Sequence, residues 1–329
     1  MLPYKSILVT GGTGSFGNAF IKRILEKHPE IEKIVVFSRD EYKQFVMSNK
    51  PEFKDNKRLR FFIGDVRDRD RLYRAFDGID IVIHAAALKQ VPSCEYNPFE
   101  AVKTNILGAQ NVIDTAIDRN VKKVVALSTD KACAPINLYG ATKLCSDKLF
   151  IAGNVYSGSR STKFSVVRYG NVAGSRGSVI PFFKTLVKQG VTEFPITDFR
   201  MTRFWLKLDD AVDMVITALE IMQGGELFVK KAPSMKITEL AQAIAPALKL
   251  TEVGIRPGEK IHEKMITRED ARRTFELENH YIVLPELETC SYSFYKVKGK
   301  PVSSDFEYHS GKNTQWLTTD LMKEMIDEL

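Results

Sequence analysis

The chain has 329 residues, 44% of them hydrophobic, and a net charge of +7, enough for one large domain or a domain with a smaller lobe. No apolar run approaches the ~20 residues a membrane helix requires, and the chain enters a strand-like run by Ser6, which leaves no room for a cleavable signal. Lysines and arginines are dispersed, which favours an anionic small molecule over nucleic acid, and Cys94, Cys133, Cys145 and Cys290 suggest neither a metal site nor a disulfide framework, so a cytoplasmic setting is expected.

In chain order, Ser6–Thr10 reads as a buried parallel strand. The loop GGTGSFG follows, with Gly11, Thr13, Gly14, Ser15, Phe16 and Gly17, and then a helical pattern through Phe20, Ile21, Ile24 and Leu25. Glycines between a strand and a helix allow close approach of the backbone to a pyrophosphate, which then sits on the helix N-terminus. The second strand, Lys33–Phe37, ends in Ser38, Arg39 and Asp40. An acid at this point would accept ribose hydroxyls and select NAD. Ser38 and Arg39, with Lys43 and Arg60 near, suit a 2′-phosphate and favour NADP, although Asp40 argues the other way.

Arg60–Ile63 reads as the third strand, with Asp65 and Val66 beyond it where an adenine would lie. Helical spacing follows from Asp70 to Phe76. Ile79–His84 is the fourth strand, followed by small residues, including Ala85, that let backbone pass close to a cofactor, and by Lys89, which could meet a phosphate. His84 reads as a packing residue. Pro98 to Asn120 reads as one long amphipathic helix, with polar Asn105 reaching toward the central strands. Val121–Leu127 and Phe164–Arg168 are strands five and six, so the expected fold is α/β, a doubly wound parallel (Rossmann) sheet.

The expected division is a dinucleotide-binding domain over 1–172, with some later segments returning to it, and a mainly substrate-binding lobe and tail over 173–329. In that lobe Arg203 and Arg256 are candidates for a diphosphate, since a guanidinium binds phosphate bidentately. Each also reads as an ordinary surface arginine. The tail shows helical spacing only after Thr318.

The stretch LSTDKACAPINLYGATK, Leu127 to Lys143, concentrates the groups capable of proton chemistry. Tyr139 and Lys143 share a helical face, Asn137 can cap that helix, and Pro135 fits a turn before it. A lysine beside a tyrosine favours the phenolate and lowers a pKa that starts near ~10, giving a base at neutral pH. Ser128, Thr129, Asp130 and Lys131 lie at the C-terminal end of strand five, where open α/β sheets bind ligands.

These motifs together resemble the extended short-chain dehydrogenase/reductase family of nucleotide-sugar enzymes. SRDEYKQ, FFIGDVRD, HAAALKQVP, VRYGNVAGSRGSVIPFF, MTRFW and IRPGEKIHE narrow the resemblance to the inverting UDP-N-acetylglucosamine 4,6-dehydratases that begin pseudaminic acid synthesis. The resemblance implies that Asp130, Lys131, Tyr139 and Lys143 are catalytic and that the GGTGSFG residues, Ser38 to Lys43, Asp65, Val66, Ala85 and Lys89 hold NADP, as do Tyr139 and Lys143. Lys89, Thr129, Asn171, Val179, Thr197, Arg203, Arg256 and Glu259 then form the UDP-sugar side. It implies a homo-oligomer, a hexamer in that group, with no membrane or nucleic-acid partner. Hydride leaves C4 of the sugar, Tyr139 takes the hydroxyl proton, and Lys131, if neutral, removes the C5 proton while Asp130 protonates the departing C6 hydroxyl. Adjacent residues of an extended segment point to opposite sides, so the two are expected to flank the sugar, with either as the acid. A UDP-sugar 4-epimerase is the alternative: it would share Tyr139 and Lys143 but has no use for the Asp130–Lys131 pair. A non-catalytic regulator would predict degraded chemistry at Tyr139 or Lys143, and both are intact.

Overall fold

A parallel sheet covered by helices on both faces requires strands that are apolar along their whole length. Ser6–Thr10 (β1), Lys33–Ser38 (β2), Leu59–Ile63 (β3), Ile81–His84 (β4), Lys123–Thr129 (β5) and Lys163–Tyr169 (β6) provide them, and every residue of β1 and β4 is buried. β3 departs from this, with Arg60 and Ile63 exposed, because it is the edge strand. The structure, a computed structural model, describes residues 2–175, 177–287 and 290–329. Arg176, inside the GSRGS part of the motif quoted above, lies outside them.

All six strands run parallel, in the order β3-β2-β1-β4-β5-β6. The order reverses between β1 and β4, and such a switch point opens a crevice at the carboxyl ends of the strands. The sheet extends past β6. Leu227–Lys230 joins it parallel, His280–Val283 pairs antiparallel with that strand, and Thr274–Glu276 and Lys300–Pro301 finish the edge. Among the described residues the sheet thus has ten strands.

One face of the sheet is packed by Val112, Ile113, Ala116 and Phe150, the other by Phe20, Ile21, Ile24, Val212, Val215 and Leu219. The helix expected over Pro98 to Asn120 is not uniform. It runs as Pro98–Val102, a wider π-turn at Lys103–Leu107, and Gly108–Asp118. Such turns commonly mark functional positions, and here the turn carries Asn105. Its Nδ2 donates to the Leu88 carbonyl at 2.9 Å and to Thr142 Oγ1 at 3.0 Å, while its Oδ1 accepts from Leu88 N at 2.8 Å.

A separate apolar cluster, with Ile180, Phe183, Phe194, Trp205, Leu240 and Met322, forms the smaller lobe. The last helix, Thr319–Asp327, belongs to it: Thr318 caps the helix by accepting from Leu321 N, and Met322, Met325 and Ile326 face inward. Met322 is fully buried. Met322→Ala should therefore cost about 2–5 kcal/mol and lower the urea midpoint. An unchanged midpoint would show that the lobe does not depend on the tail.

Candidate active site

At the end of β1 the chain turns through Gly11, whose φ is +65°. A Cβ there would stand 2.9 Å from Ala86 N and 3.0 Å from the Ala85 carbonyl oxygen, so the loop packs on backbone that only glycine can approach. Gly17 is equally constrained by the Gly12 backbone. Gly14 is the N-cap of the helix Ser15–Lys27 (α1). A Cβ at Gly14 would meet only the Gly11 carbonyl oxygen, at 3.1 Å, and Gly14 lines the cleft. Open space over a glycine loop at a helix N-terminus fits a pyrophosphate.

The polar groups after β2 divide in their roles. Ser38 is buried, and its Oγ accepts from Gln44 Nε2 at 3.0 Å. Asp40 caps the helix Glu41–Ser48 through Lys43 N at 2.9 Å and pairs with Lys43 Nζ at 2.9 Å. These bonds hold the Asp40 carboxyl below the usual range. Arg39 and Lys43 keep 53% and 52% of their side chains exposed. Arg39 lies 3.6 Å from Asp65. Burial works to raise the Asp65 carboxyl, but Arg67 and Arg39 outweigh it and hold it low.

On the opposite wall Asn137 Oδ1 accepts from Gly140 N at 2.8 Å and starts the helix Leu138–Tyr156. Tyr139 and Lys143 are both buried on it. The expected acidic tyrosine is not found. Burial pushes the Tyr139 hydroxyl up to about 12, against the opposing charge of Lys131 and a hydrogen bond with Thr129. Burial also pushes Lys143 below its ordinary value, with Asp147 opposing. His84 donates or accepts at Thr10 Oγ1, 2.9 Å away, and burial with the Lys143 charge lowers it to about 3, in keeping with a neutral packing residue.

Asp130 and Lys131 do not alternate across an extended strand. Asp130–Ala132 is a single 3-10 turn capped by Thr129, so the two side chains meet instead of flanking a ligand. Lys131 Nζ donates to Asp130 Oδ1 at 3.0 Å, and Thr129 Oγ1 donates to the same oxygen at 2.9 Å. Asp130 Oδ2 is buried without a hydrogen-bond partner among the described residues. The neutral Lys131 expected of a base is also not the resting form. Burial works to lower its pKa, but Asp130 and Glu263 outweigh it and the net shift is upward. The turn itself rests on Gly140, where a Cβ would lie 2.2 Å from the Lys131 carbonyl oxygen.

Two buried acids lie outside the expected site residues. Asp147 accepts from Ser128 Oγ at 2.6 Å and from Arg168 Nη2 at 3.1 Å, and its charge acts on both Tyr139 and Lys143. Glu263, 3% exposed, stands 3.7 Å from Lys131 Nζ. An acid recurring one helical turn after Lys143, and another closing the basic IRPGEKIHE run, were the available signals.

Most positions expected to bind cofactor or sugar line one cleft of about 920 Å³, from Gly11 to Glu259, whereas Gly12, Glu41, Tyr42 and Arg60 stand outside its lining. Lys89, Asn171, Val179 and Thr197 are among its lining residues. The two arginines differ. Arg203 spends its donors on carbonyls of Thr202 at 2.7 Å, Lys260 at 2.8 Å and Ile261 at 3.0 Å, so it braces the 256–263 segment. Arg256 is 58% exposed and only 4.0 Å from Glu259, which leaves its guanidinium available for phosphate. Among the described residues no cluster of His, Cys, Asp and Glu suits a metal, and no helix is long and apolar enough to cross a membrane.

The packing at Gly140 generates a direct test. Gly140→Ala must displace the Lys131 turn from the helix, so any activity of the site should fall at least tenfold, with nucleotide binding at the glycine loop retained. Full activity in a folded Gly140→Ala protein would show that the turn can shift without consequence.

Residues 7–285 match the family model described as "Polysaccharide biosynthesis protein". The chain is 54% identical over 329 residues to a Campylobacter jejuni protein named UDP-N-acetylglucosamine 4,6-dehydratase (inverting), covering 98% of this chain and 96% of the relative. It is 42% identical over 328 residues to a Rickettsia canadensis protein named UDP-glucose 4-epimerase, covering 98% and 95%. The solved structure of Pen from Bacillus thuringiensis superposes with a TM-score of 0.90 at 38% identity, covering 100% of this chain and 98% of that one. With cradle, cleft and matched length in agreement, the chain belongs to the polysaccharide biosynthesis protein family.

Proposed function

We propose that this protein is a UDP-N-acetylglucosamine 4,6-dehydratase of the C5-inverting type, working with NADP. The observation that carries the reading is the Asp130–Lys131 hydrogen bond of 3.0 Å beside Tyr139 in the cleft. Oxidation at C4 alone, as in an epimerase, needs only a group to exchange the hydroxyl proton. Elimination needs a second acid and a second base, and this pair offers both. The identity to the Campylobacter jejuni protein of that name supports the same reading.

A nicotinamide dinucleotide bound in the glycine cradle supplies reversible hydride storage for C4 and C6. Tyr139 Oη takes the C4 hydroxyl proton, in the form that Thr129 and the Lys131 charge favour. The C4 ketone then acidifies the C5 proton. At rest the pair is an ammonium and a carboxylate. Passing one proton along the Lys131 Nζ–Asp130 Oδ1 bond gives a neutral amine and a carboxylic acid. The Lys131 amine removes the C5 proton while Asp130 protonates the C6 oxygen, which leaves as water. Both residues are then back in their resting charge state. Arg256 binds the diphosphate, and Arg39 with Lys43 binds the 2′-phosphate that distinguishes NADP, since Asp40 is committed to its helix cap. The reading carries with it a cytoplasmic homo-oligomer that begins pseudaminic acid synthesis.

Incubation with UDP-N-acetylglucosamine should give a product lighter by one water in mass spectrometry, and unchanged mass with epimerised sugar would replace this reading by the epimerase. Lys131→Met should keep the fold and nucleotide binding but lower dehydration by about 10²–10⁴-fold, with loss of deuterium incorporation at C5 in D₂O. Near wild-type turnover by that variant would remove Lys131 from the role of base. Calorimetry should show tighter binding of NADP than NAD, by roughly tenfold or more for a charge-assisted phosphate contact. Arg39→Asp should narrow that difference, and equal affinities in the wild type would refute the cofactor assignment.

A further inference from the structure

Glu263 closes the 256–263 segment in the wall of the cleft, with 3% of its side chain exposed. Three cations surround its carboxylate: Lys131 Nζ at 3.7 Å, Lys260 Nζ at 3.7 Å and Arg203 Nε at 3.9 Å. None of these is within hydrogen-bond distance, and Oε2 has no hydrogen-bond partner among the described residues. A buried carboxylate held only by charge is costly to keep. Its neighbours are themselves fixed. Arg203 is clamped to the carbonyls of Thr202, Lys260 and Ile261, and Lys260 Nζ donates to the Cys133 carbonyl at 2.7 Å, on the same turn that carries Lys131. Ser310 Oγ accepts from Glu263 N at 2.9 Å and pins the backbone. Glu263 is therefore held rigidly, with its charge facing the one mobile proton of the pair.

We propose that Glu263 is a positioning residue for the Asp130–Lys131 pair, holding the Lys131 ammonium in place and setting how readily that proton passes to Asp130. The proposal rests on the dehydratase reading for its effect on turnover, though not for its effect on Lys131 itself. The groups facing Lys131 are Asp130 from its own turn, Glu263 and Arg203 from the small lobe, Lys89 from the loop after β4, and Tyr139 from the helix. Of these Asp130 and Glu263 are the anions. Removing one anion at this distance leaves the cations and the burial in place, so the Lys131 proton must become easier to lose.

The sign follows. Neutralising Glu263 removes an anion beside the pair, so the doubly protonated pair, which has no base to offer, gives way to the active form sharing one proton at lower pH. In Glu263→Gln the acid limb of kcat/KM should move down by about one pH unit or more, the usual effect of a charge within ~4–6 Å. Glu263→Asp, which keeps the charge, should leave the limb in place. Lys260→Met, which removes a cation from the same cluster, should move it the opposite way and serves if Glu263→Gln does not fold. The second measurement needs no turnover: the Nζ resonance of Lys131 in ¹⁵N-lysine-labelled protein, assigned through Lys131→Arg, should titrate at lower pH in Glu263→Gln. A purely structural Glu263 would lower activity in these variants without moving either titration, and that result overturns the proposal. If the wild type fails to dehydrate UDP-N-acetylglucosamine, the proposed function falls, while the Lys131 titration still decides the role of Glu263.

Discussion

The first turn of the Tyr139–Lys143 helix and the turn after β5 touch at a point where no side chain fits. The Lys131 carbonyl oxygen occupies the place a Cβ on Gly140 would take. This contact fixes the distance between two sets of groups delivered by different elements: Thr129, Asp130 and Lys131 by the strand, Tyr139 and Lys143 by the helix. Asn137 reinforces it from the helix side, capping Gly140 N and donating to the Gly258 carbonyl at 2.8 Å. The same residue thereby ties the proton chemistry to the segment that carries Arg256 and Glu263. Ala134, between the two turns, holds a φ of +48°. That left-handed conformation is unfavourable for alanine and survives where surrounding packing determines it.

Charge in the cleft is arranged at a cost to stability. Among the described residues, three buried carboxylate oxygens in its lining have no hydrogen-bond partner: Asp130 Oδ2, Glu259 Oε2 and Glu263 Oε2. Native interiors pair nearly all such atoms, so unpartnered carboxylates in the wall of a cleft mark groups kept ready for a ligand or a proton. The upward shift of Tyr139 to about 12 belongs to the same economy of burial. Burial outweighs the Lys131 charge and the Thr129 hydrogen bond that favour its ionised form, so the phenol is reluctant to ionise at rest.

The fold was readable because the core strands of the first half are short apolar runs separated by helical spacing. Asn137 marks the start of one such helix, and it accepts from Gly140 N as its residue type requires. The glycine cradle was readable for the same reason, since Gly11 and Gly17 stand where only glycine fits. What was hidden depends on contacts between distant segments. The strands Leu227–Lys230 and His280–Val283 are only four residues each and are separated by pieces of the small lobe. The π-turn at Asn105 keeps the periodicity of a helix almost intact. Glu263 meets Lys131 across more than a hundred residues, and no local pattern announces that meeting.

Asp130 and Lys131 show why the local rule failed at the most informative place. Read as an extended segment, the two would point apart and face a ligand from opposite sides. Thr129 instead turns the chain by accepting from Lys131 N, and the side chains come together at 3.0 Å. The change alters the chemistry available. Two separated groups must each hold the correct protonation state independently, which for Lys131 means an amine against its natural preference. Two hydrogen-bonded groups share one proton, so the state needed for elimination is one transfer away from the stable ion pair and is regenerated when water leaves. The energy separating the two states is set by nearby charge and by burial, which act in opposite senses: burial favours the neutral pair, and Glu263 favours the ions. A site built on that balance can be tuned by a residue that never touches the sugar.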